Sequence, residues 1–359
     1  MDDAVTAERE ELAISAEELQ LATRNHGFPL EALALDVTPV GLHYLLIHYD
    51  IPVVDPAAWR LRLDGCVERV LSLSLDDLRA RPSVTQEVTL ECAGNGRTLL
   101  SPRARSQPWI LEAVGTGSWT GTPLAPLVRE AGLTDDAVEV LFTGLDRGVE
   151  AGEEQAYQRS LTLAECEREG VVLAYALNGG PLPPQHGYPV RLLVPGWYGM
   201  ASVKWLDRIT AIDAPFTGYQ QARAYRLRQD EDDPGTPVDR IAVRALLQPP
   251  GVPDFFTRQR HVGAGTVVLR GRAWSGSAPI TAVEVSTDGG ATWFPAEVAP
   301  AAGPHAWHRF TATWEATPGE HEVCCRATDA SGDTQPVDSA WNLGGYAANG
   351  IHRVPVTVR

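Results

Sequence analysis

The sequence predicts a mixed α+β half followed by an all-β, immunoglobulin-like sandwich, and three observations carry that prediction. At 359 residues the chain is too long for one ordinary core and comfortable for two. Up to an acidic, proline-rich stretch near residue 234 it mixes alternating apolar segments with short helical patterns, and beyond it only strand patterns remain. Hydrophobic residues at 44% and charged ones at 21% are the profile of a packed globular protein, which excludes intrinsic disorder for most of the length.

Taken in order, residues 1–20 are rich in Glu and Ala and predict a short acidic helical extension. Residues 21–233 form the mixed half. Segments 59–63 and 70–75 alternate as strands, Asp76-Asp77 offers an N-cap for a helix through Leu78, and 124–131 and 162–168 fit helices. Gln229-Asp230-Glu231-Asp232-Asp233-Pro234-Gly235-Thr236-Pro237 reads as a linker. In 234–359, strand patterns cover 266–272, 280–286, 306–314, 320–328 and 354–358, with turns at Asp288-Gly289-Gly290 and Thr317-Pro318-Gly319. Cys324 and Cys325 are neighbours on one of these strands, so alternation places one in the core and one on the surface.

The charge balance narrows the partners. Thirty basic against 46 acidic residues leave a net charge of −16, which argues against nucleic acid and against an anionic membrane. The N-terminal Met1-Asp2-Asp3-Ala4-Val5 has no basic or apolar leader pattern, and no stretch has the apolar length to cross a bilayer. Five cysteines without CxxC spacing predict neither a disulfide framework nor a zinc site, and point to a cytoplasmic location.

Two segments could hold chemistry. In Val88-Thr89-Leu90-Glu91-Cys92-Ala93-Gly94-Asn95-Gly96-Arg97 a strand runs into a Gly-Asn-Gly turn with Cys92 at its end. Arg97 would lower the thiol pKa and favour a thiolate, suited to nucleophilic or metal-ligand work; a buried structural cysteine beside a turn fits the same pattern. The second segment, from Gln185 to Leu206, carries His186, Arg191, Ser202 and Lys204 around glycine-opened loops. Lys204 is the chain's only lysine. Such donors suit a phosphate-bearing ligand, and a solvated basic edge would also explain them. Neither a P-loop nor GxGxxG is present, so an ordinary nucleotide is not indicated.

Together these stretches resemble the sulfite oxidase family of molybdopterin enzymes, which includes eukaryotic nitrate reductase. The resemblance rests on Glu91-Cys92-Ala93-Gly94-Asn95, on His186-Gly187-Tyr188-Pro189-Val190-Arg191 and on Val203-Lys204-Trp205-Leu206, and extends more weakly from about residue 30 to the C-terminus. It implies a molybdenum–molybdopterin cofactor with Cys92 as the metal's thiolate ligand. It places Asp146, His186, Arg191, Ser202 and Lys204 at pterin- and phosphate-binding positions, Tyr225 as the active-site tyrosine, and Trp109 and Arg97 as aromatic and cationic pocket walls. It implies that the C-terminal sandwich pairs with its twin in a homodimer.

The resemblance also shows departures. Arg24-Asn25-His26-Gly27 looks like the family's Arg-Asn-His-Gly pocket motif, but register to Val53-Val54-Asp55-Pro56 puts that motif at Leu46-Ile47-His48. Tyr44, Leu46 and His48 are therefore assigned to the cofactor pocket, with Leu46 where the family has Arg. Trp274-Ser275-Gly276 is not followed by the Arg expected of the second domain, and Ala224 replaces the acid before Tyr225. A pocket missing two guanidiniums binds a small dianion less tightly unless Arg97, Arg103 or Arg223 compensates. The resemblance implies oxidation of sulfite by oxygen-atom transfer, with electrons passed to an external carrier such as a cytochrome, since no haem or flavin pattern is found in this chain. The alternatives are reduction of an S-oxide, an N-oxide or nitrate, and a non-catalytic scaffold, which would have no use for a metal thiolate.

Overall fold

The computed structural model describes residues 14–359. Most of the predicted 1–20 extension lies outside the described residues. Within them, helix α1 (Ala16–Arg24) starts at Ser15, whose hydroxyl accepts from the Glu18 N–H at 3.2 Å while the Glu18 carboxylate accepts from the Ser15 N–H at 3.0 Å. This helix docks into the first unit: Glu18 is 3% exposed and paired with buried Arg103, a contact that holds its carboxyl down at about 2.

The mixed half is built on two sheets. One runs β2-β1-β10-β5-β6, from β1 (Leu61–Gly65), β2 (Leu71–Leu73), β5 (Glu139–Glu150), β6 (Glu153–Thr162) and β10 (Leu206–Ile212), with only β1–β10 parallel. The other runs β3-β4-β7-β8, from β3 (Val84–Glu91), β4 (Val114–Pro123), β7 (Val172–Leu177) and β8 (Gly180–Pro181), with β9 (Arg191–Leu193) also on β7. Helices are few and short. In α2 (Leu75–Arg79) the N-cap is Ser74, not Asp76 or Asp77; Asp77 is the acceptor three residues on that completes the capping box. Helix α3 (Leu124–Ala131) buries Leu124, Leu127, Val128 and Ala131, one stripe at helical spacing. Helix α4 (Leu163–Cys166), capped by the Thr162 hydroxyl, ends sooner than its pattern predicted.

The acidic stretch predicted as a linker is an ordered hairpin. β11 (Arg226–Leu227) pairs with β12 (Thr236–Pro237), and the Asp233 carboxylate accepts from the backbone N–H groups of Gln229 and Gly235, both at 2.7 Å. Beyond it, two sheets enclose a second core. One is β13-β16-β20-β19, from β13 (Arg244–Gln248), β16 (Gly265–Trp274), β19 (Glu297–Val298) and β20 (His308–Ala316). The other is β14-β15-β22-β21-β17-β18, from β14 (Val252–Pro253), β15 (Arg260–Val262), β17 (Ile280–Ser286), β18 (Phe294–Pro295), β21 (Gly319–Asp329) and β22 (His352–Val358). Leu247, Leu269, Phe310, Val285, Val323 and Val356 fill the space between them. Cys324 and Cys325 are both buried, because Arg353 and Glu322 cover the face on which Cys324 was expected to meet water.

The two units are not joined by a thin tether. Val238, Ile241, Leu246, Trp274 and Trp307, all beyond residue 233, belong to the core of the mixed half. Arg272 donates to the Leu33 carbonyl and the Asp36 carboxylate at 2.8 Å each. At the centre, Glu91 Oε1 lies 3.1 Å from Arg244 Nη1 and Glu91 Oε2 accepts from the Trp274 indole N–H at 2.8 Å, with both charges 2% exposed or less. Removing one partner of such a pair leaves an uncompensated buried charge. Glu91→Ala is therefore expected to lower stability by about 3–5 kcal/mol, read as a shift of the urea unfolding curve.

Candidate active site

Cys92 directly follows β3 at the seam between the units. Its N–H donates to the Ala113 carbonyl at 2.9 Å, and the turn that follows closes with Asn95 N–H on the Cys92 carbonyl at 3.0 Å. The buried Asn95 side chain donates to Glu91 Oε1 at 3.0 Å and accepts from Ala113 N–H at 3.1 Å, locking the loop onto β3 and β4. Gly96 has φ +94°, and a Cβ there would stand 2.6 Å from the Ala348 carbonyl, so only glycine lets the two units close here. Arg97 then folds back over Gly94 with its guanidinium 5.1 Å from the Tyr346 ring centroid.

The expectation that Arg97 activates the thiol is corrected. Burial pushes the Cys92 pKa up, and the Arg97 charge offsets this only in part. A thiolate at this position needs a further positive charge beside the sulfur, which a metal cation would provide.

From Cys92 a deep cleft extends, lined by Tyr44, Leu46, His48, Asp146, His186, Arg191, Ser202, Lys204 and Tyr225. A second cavity of about 220 Å³ opens on the other side of the same cysteine and adds Arg97 and Trp109 to Cys92, Leu46, His48 and Tyr225. Every residue singled out from sequence therefore lies on one of two chambers that meet at Cys92. Arg24 does not: it is exposed, while neighbouring Asn25 accepts from the Ile47 N–H at 2.7 Å and so braces the Leu46–His48 wall from behind. Arg103 is committed to Glu18, and Arg223 is exposed. Trp274 is turned onto Glu91 and Ser275 onto Asp329, and it is Tyr346 that reaches the cavity.

The deep cleft carries two buried cationic side chains. Arg191 donates to the His186 carbonyl at 3.2 Å and to the Ser202 carbonyl at 2.9 Å, and Lys204 Nζ donates to the Leu46 carbonyl at 2.6 Å. Burial first, and Arg191 second, push Lys204 down to about 7. Burial raises Asp146 to about 6 against the pull of Lys204, and holds His186 at about 2 and His48 at about 3. Neutral His48 thus accepts from the Tyr225 hydroxyl at 2.6 Å, since burial also keeps that phenol protonated. Tyr225 holds φ +50°, a conformation that costs a non-glycine residue about 1–3 kcal/mol and persists where its surroundings over-determine it.

Sequence reasoning missed several residues here. His43 lies in the cleft wall with Nε2 buried and unpaired, and Arg159 sits under Tyr225 with its guanidinium 5.9 Å from the ring centroid. Glu150, Gln220 and Tyr346 line the second chamber. None carries a local motif, and only the adjacency of His43 to Tyr44 could have signalled one of them.

The chain matches two family models: an oxidoreductase molybdopterin binding domain over residues 48–220 and a Mo-co oxidoreductase dimerisation domain over residues 243–359. It is 36% identical to sulfite oxidase from Gallus gallus over 346 residues, covering 90% of this chain and 74% of that protein. The chain belongs to the sulfite oxidase family. It is also 35% identical to mitochondrial sulfite oxidase from Macaca fascicularis over 90% of this chain, but spans only 62% of that relative's length. Among solved structures it is similar to the sulfane dehydrogenase SoxCD from Paracoccus pantotrophus, at TM-score 0.80 and 27% identity over 93% of this chain and 86% of that one.

The family's cofactor is a molybdenum-bearing pterin with a phosphate tail, and the residues present fit it. Arg191 Nε, Asp146 Oδ1, His43 Nε2 and Arg97 Nε are all buried without a protein hydrogen-bond partner, although each residue lines one of the two chambers. Buried polar atoms rarely stay orphaned, and a ligand rich in donors and acceptors would satisfy them. In that assignment Cys92 holds the metal, Arg191, Ser202 and Lys204 hold the phosphate, and His43, His186 and Asp146 meet the pterin edge. Replacing buried Lys204 by Met removes a costly desolvated charge and leaves the apoprotein at least as stable. Lys204→Met is expected to unfold at an unchanged or higher denaturant midpoint while its molybdenum content, read by mass spectrometry, falls roughly tenfold or more.

Proposed function

We propose that this chain is a molybdenum-dependent oxidoreductase that oxidises sulfite to sulfate by oxygen-atom transfer. The observation that carries the reading is the convergence of Cys92, Arg97 and Tyr225 on one cavity of about 220 Å³ that opens beside a deep cationic cleft. When bound, the cofactor supplies the transferable oxygen and accepts two electrons. The chain's residues do the rest. Arg97 draws the oxyanion by charge and presents its unpaired Nε–H, Trp109 and Leu46 exclude water from the sulfur's approach, and the Tyr225 hydroxyl is held in place at the chamber wall by its hydrogen bond to His48. Electrons would pass to an external carrier, with a basic cytochrome suited to the net charge of −16.

Leu46 and Ala224 line the same chamber and leave Arg97 as the guanidinium lining it, which favours a second reading: oxidation of a less charged sulfur, such as the sulfane sulfur named for SoxCD. The match over residues 243–359 supports pairing of two copies through the second unit, whose two facing sheets support the immunoglobulin-like assignment. Five cysteines without disulfides support a reducing, cytoplasmic setting.

An anaerobic sulfite titration of the purified holoenzyme tests the main reading. Bleaching of the thiolate-to-metal absorbance at stoichiometric sulfite is expected; a loaded centre that ignores millimolar sulfite overturns it and leaves the sulfane reading. Steady-state kinetics tests the pocket. Restoring a guanidinium with Leu46→Arg is expected to lower the KM for sulfite by roughly tenfold with little change in kcat, and Arg97→Met to raise it by at least as much.

A further inference from the structure

We propose that Glu150 makes the chamber in front of Cys92 selective for sulfur compounds that carry a cationic group, and penalises bare dianions. The proposal rests on the oxyanion role assigned above to Arg97. Its starting point is the size and charge of the chamber. A cavity of about 220 Å³ has room for roughly seven waters at about 30 Å³ each, several times what a small oxyanion displaces. Its walls are of opposite sign, with Arg97 on one and Glu150 on another.

Glu150 closes β5 and is half-buried, which raises its pKa. Two donors converge on one of its oxygens: the Tyr49 hydroxyl at 2.7 Å and the Gln220 side-chain amide both reach Oε2. Those donors are themselves held. Gln220 lies in helix α5 (Tyr219–Ala222), where buried Arg159 donates to its carbonyl, and Tyr49 packs flat on Gly148, where a Cβ would collide with its ring. The other oxygen, Oε1, has no partner among the described residues, and no Arg or Lys among them pairs with this carboxylate. Tyr346 lines the same chamber with the Arg97 guanidinium 5.1 Å from its ring centroid, and both charges act on its hydroxyl: Arg97 lowers its pKa and Glu150 raises it, under the larger effect of burial. Arg97 meanwhile keeps a buried Nε–H without an acceptor.

A ligand with an anionic head at Arg97 and an ammonium at Glu150 would satisfy both unpaired groups at once. A bare dianion satisfies Arg97 alone and faces the carboxylate across the chamber. Sulfite binds at Arg97 without this second contact; the chamber additionally favours an aminoalkyl sulfur compound, with its sulfur group toward Cys92 and its amine toward β5.

Isothermal titration calorimetry on the oxidised holoenzyme with three unreactive probes tests this: sulfate, ethanesulfonate and 2-aminoethanesulfonate. In the wild type the aminosulfonate is expected to bind roughly tenfold more tightly than ethanesulfonate. Glu150→Gln keeps an oxygen acceptor for Tyr49 and Gln220 but removes the charge, so a merely structural role would leave the ratio alone. Selectivity predicts that the ratio falls to about one and that sulfate tightens roughly three- to tenfold. A ratio unchanged by Glu150→Gln, or a wild type that does not prefer the aminosulfonate, overturns the proposal. Arg97→Met separates it from the reading beneath it: weakening of all three probes upholds the oxyanion role, whereas unchanged binding removes that role and the Glu150 proposal with it.

Discussion

The buried contact of Glu91 with Arg244 and Trp274 is the constraint on which the rest of this molecule depends. Glu91 immediately precedes the cysteine at the junction of both chambers, and its carboxylate also receives Asn95, which shapes the turn after that cysteine. Arg244, from the first strand of the second unit, continues to the carbonyls of Asn95 and Ala348. A change in how the two units meet would therefore move Cys92 directly. Buried ion pairs seldom add net stability over apolar packing, so the value of this one lies in fixing a single arrangement of the loop.

The same seam explains why the site has two chambers of different character. On one side, Lys204, Arg191 and His186 are crowded into a cleft where burial depresses the pKa of all three, and neighbouring positive charges add to this for Lys204 and His186. Lys204 and Arg191, buried there with Asp146 as the one carboxyl in the lining, are poised for a polyanion, whose arrival would favour their charged forms. On the other side, Tyr346 from the second unit and α5 from the first close a chamber with one guanidinium, one carboxylate and walls of mixed polar and apolar character. The fold thus separates holding a cofactor from choosing a substrate, and Cys92 touches both.

Much of this was legible in the sequence. Helix α3 has the predicted bounds because its apolar spacing admits one buried face, and the strand before Cys92 is as read because alternation ran unbroken into glycines. Cys92, Arg97, His186, Arg191, Ser202 and Lys204 were found because they sit in short segments with recognisable residue order. Errors came where side chains act at a distance. Asp76 and Asp77 were poor guides to a cap that Ser74 occupies, and Arg97 was expected to activate a thiol whose burial outweighs it. The run of acidic residues near 230 read as a tether because nothing local reveals that Asp233 would fold back onto its own backbone.

What the sequence by itself determined is the order of most elements and the short segments whose residues line the two chambers. These are written in local patterns, where periodicity and short motifs translate directly into geometry. Only the tertiary structure decided that Tyr346 and not the Trp274-Ser275-Gly276 turn enters the site, and that Glu150 lines the same chamber as Arg97. Those residues are brought together from distant parts of the chain by burial at the seam, and no periodicity along the chain records which loops a buried charge will draw together.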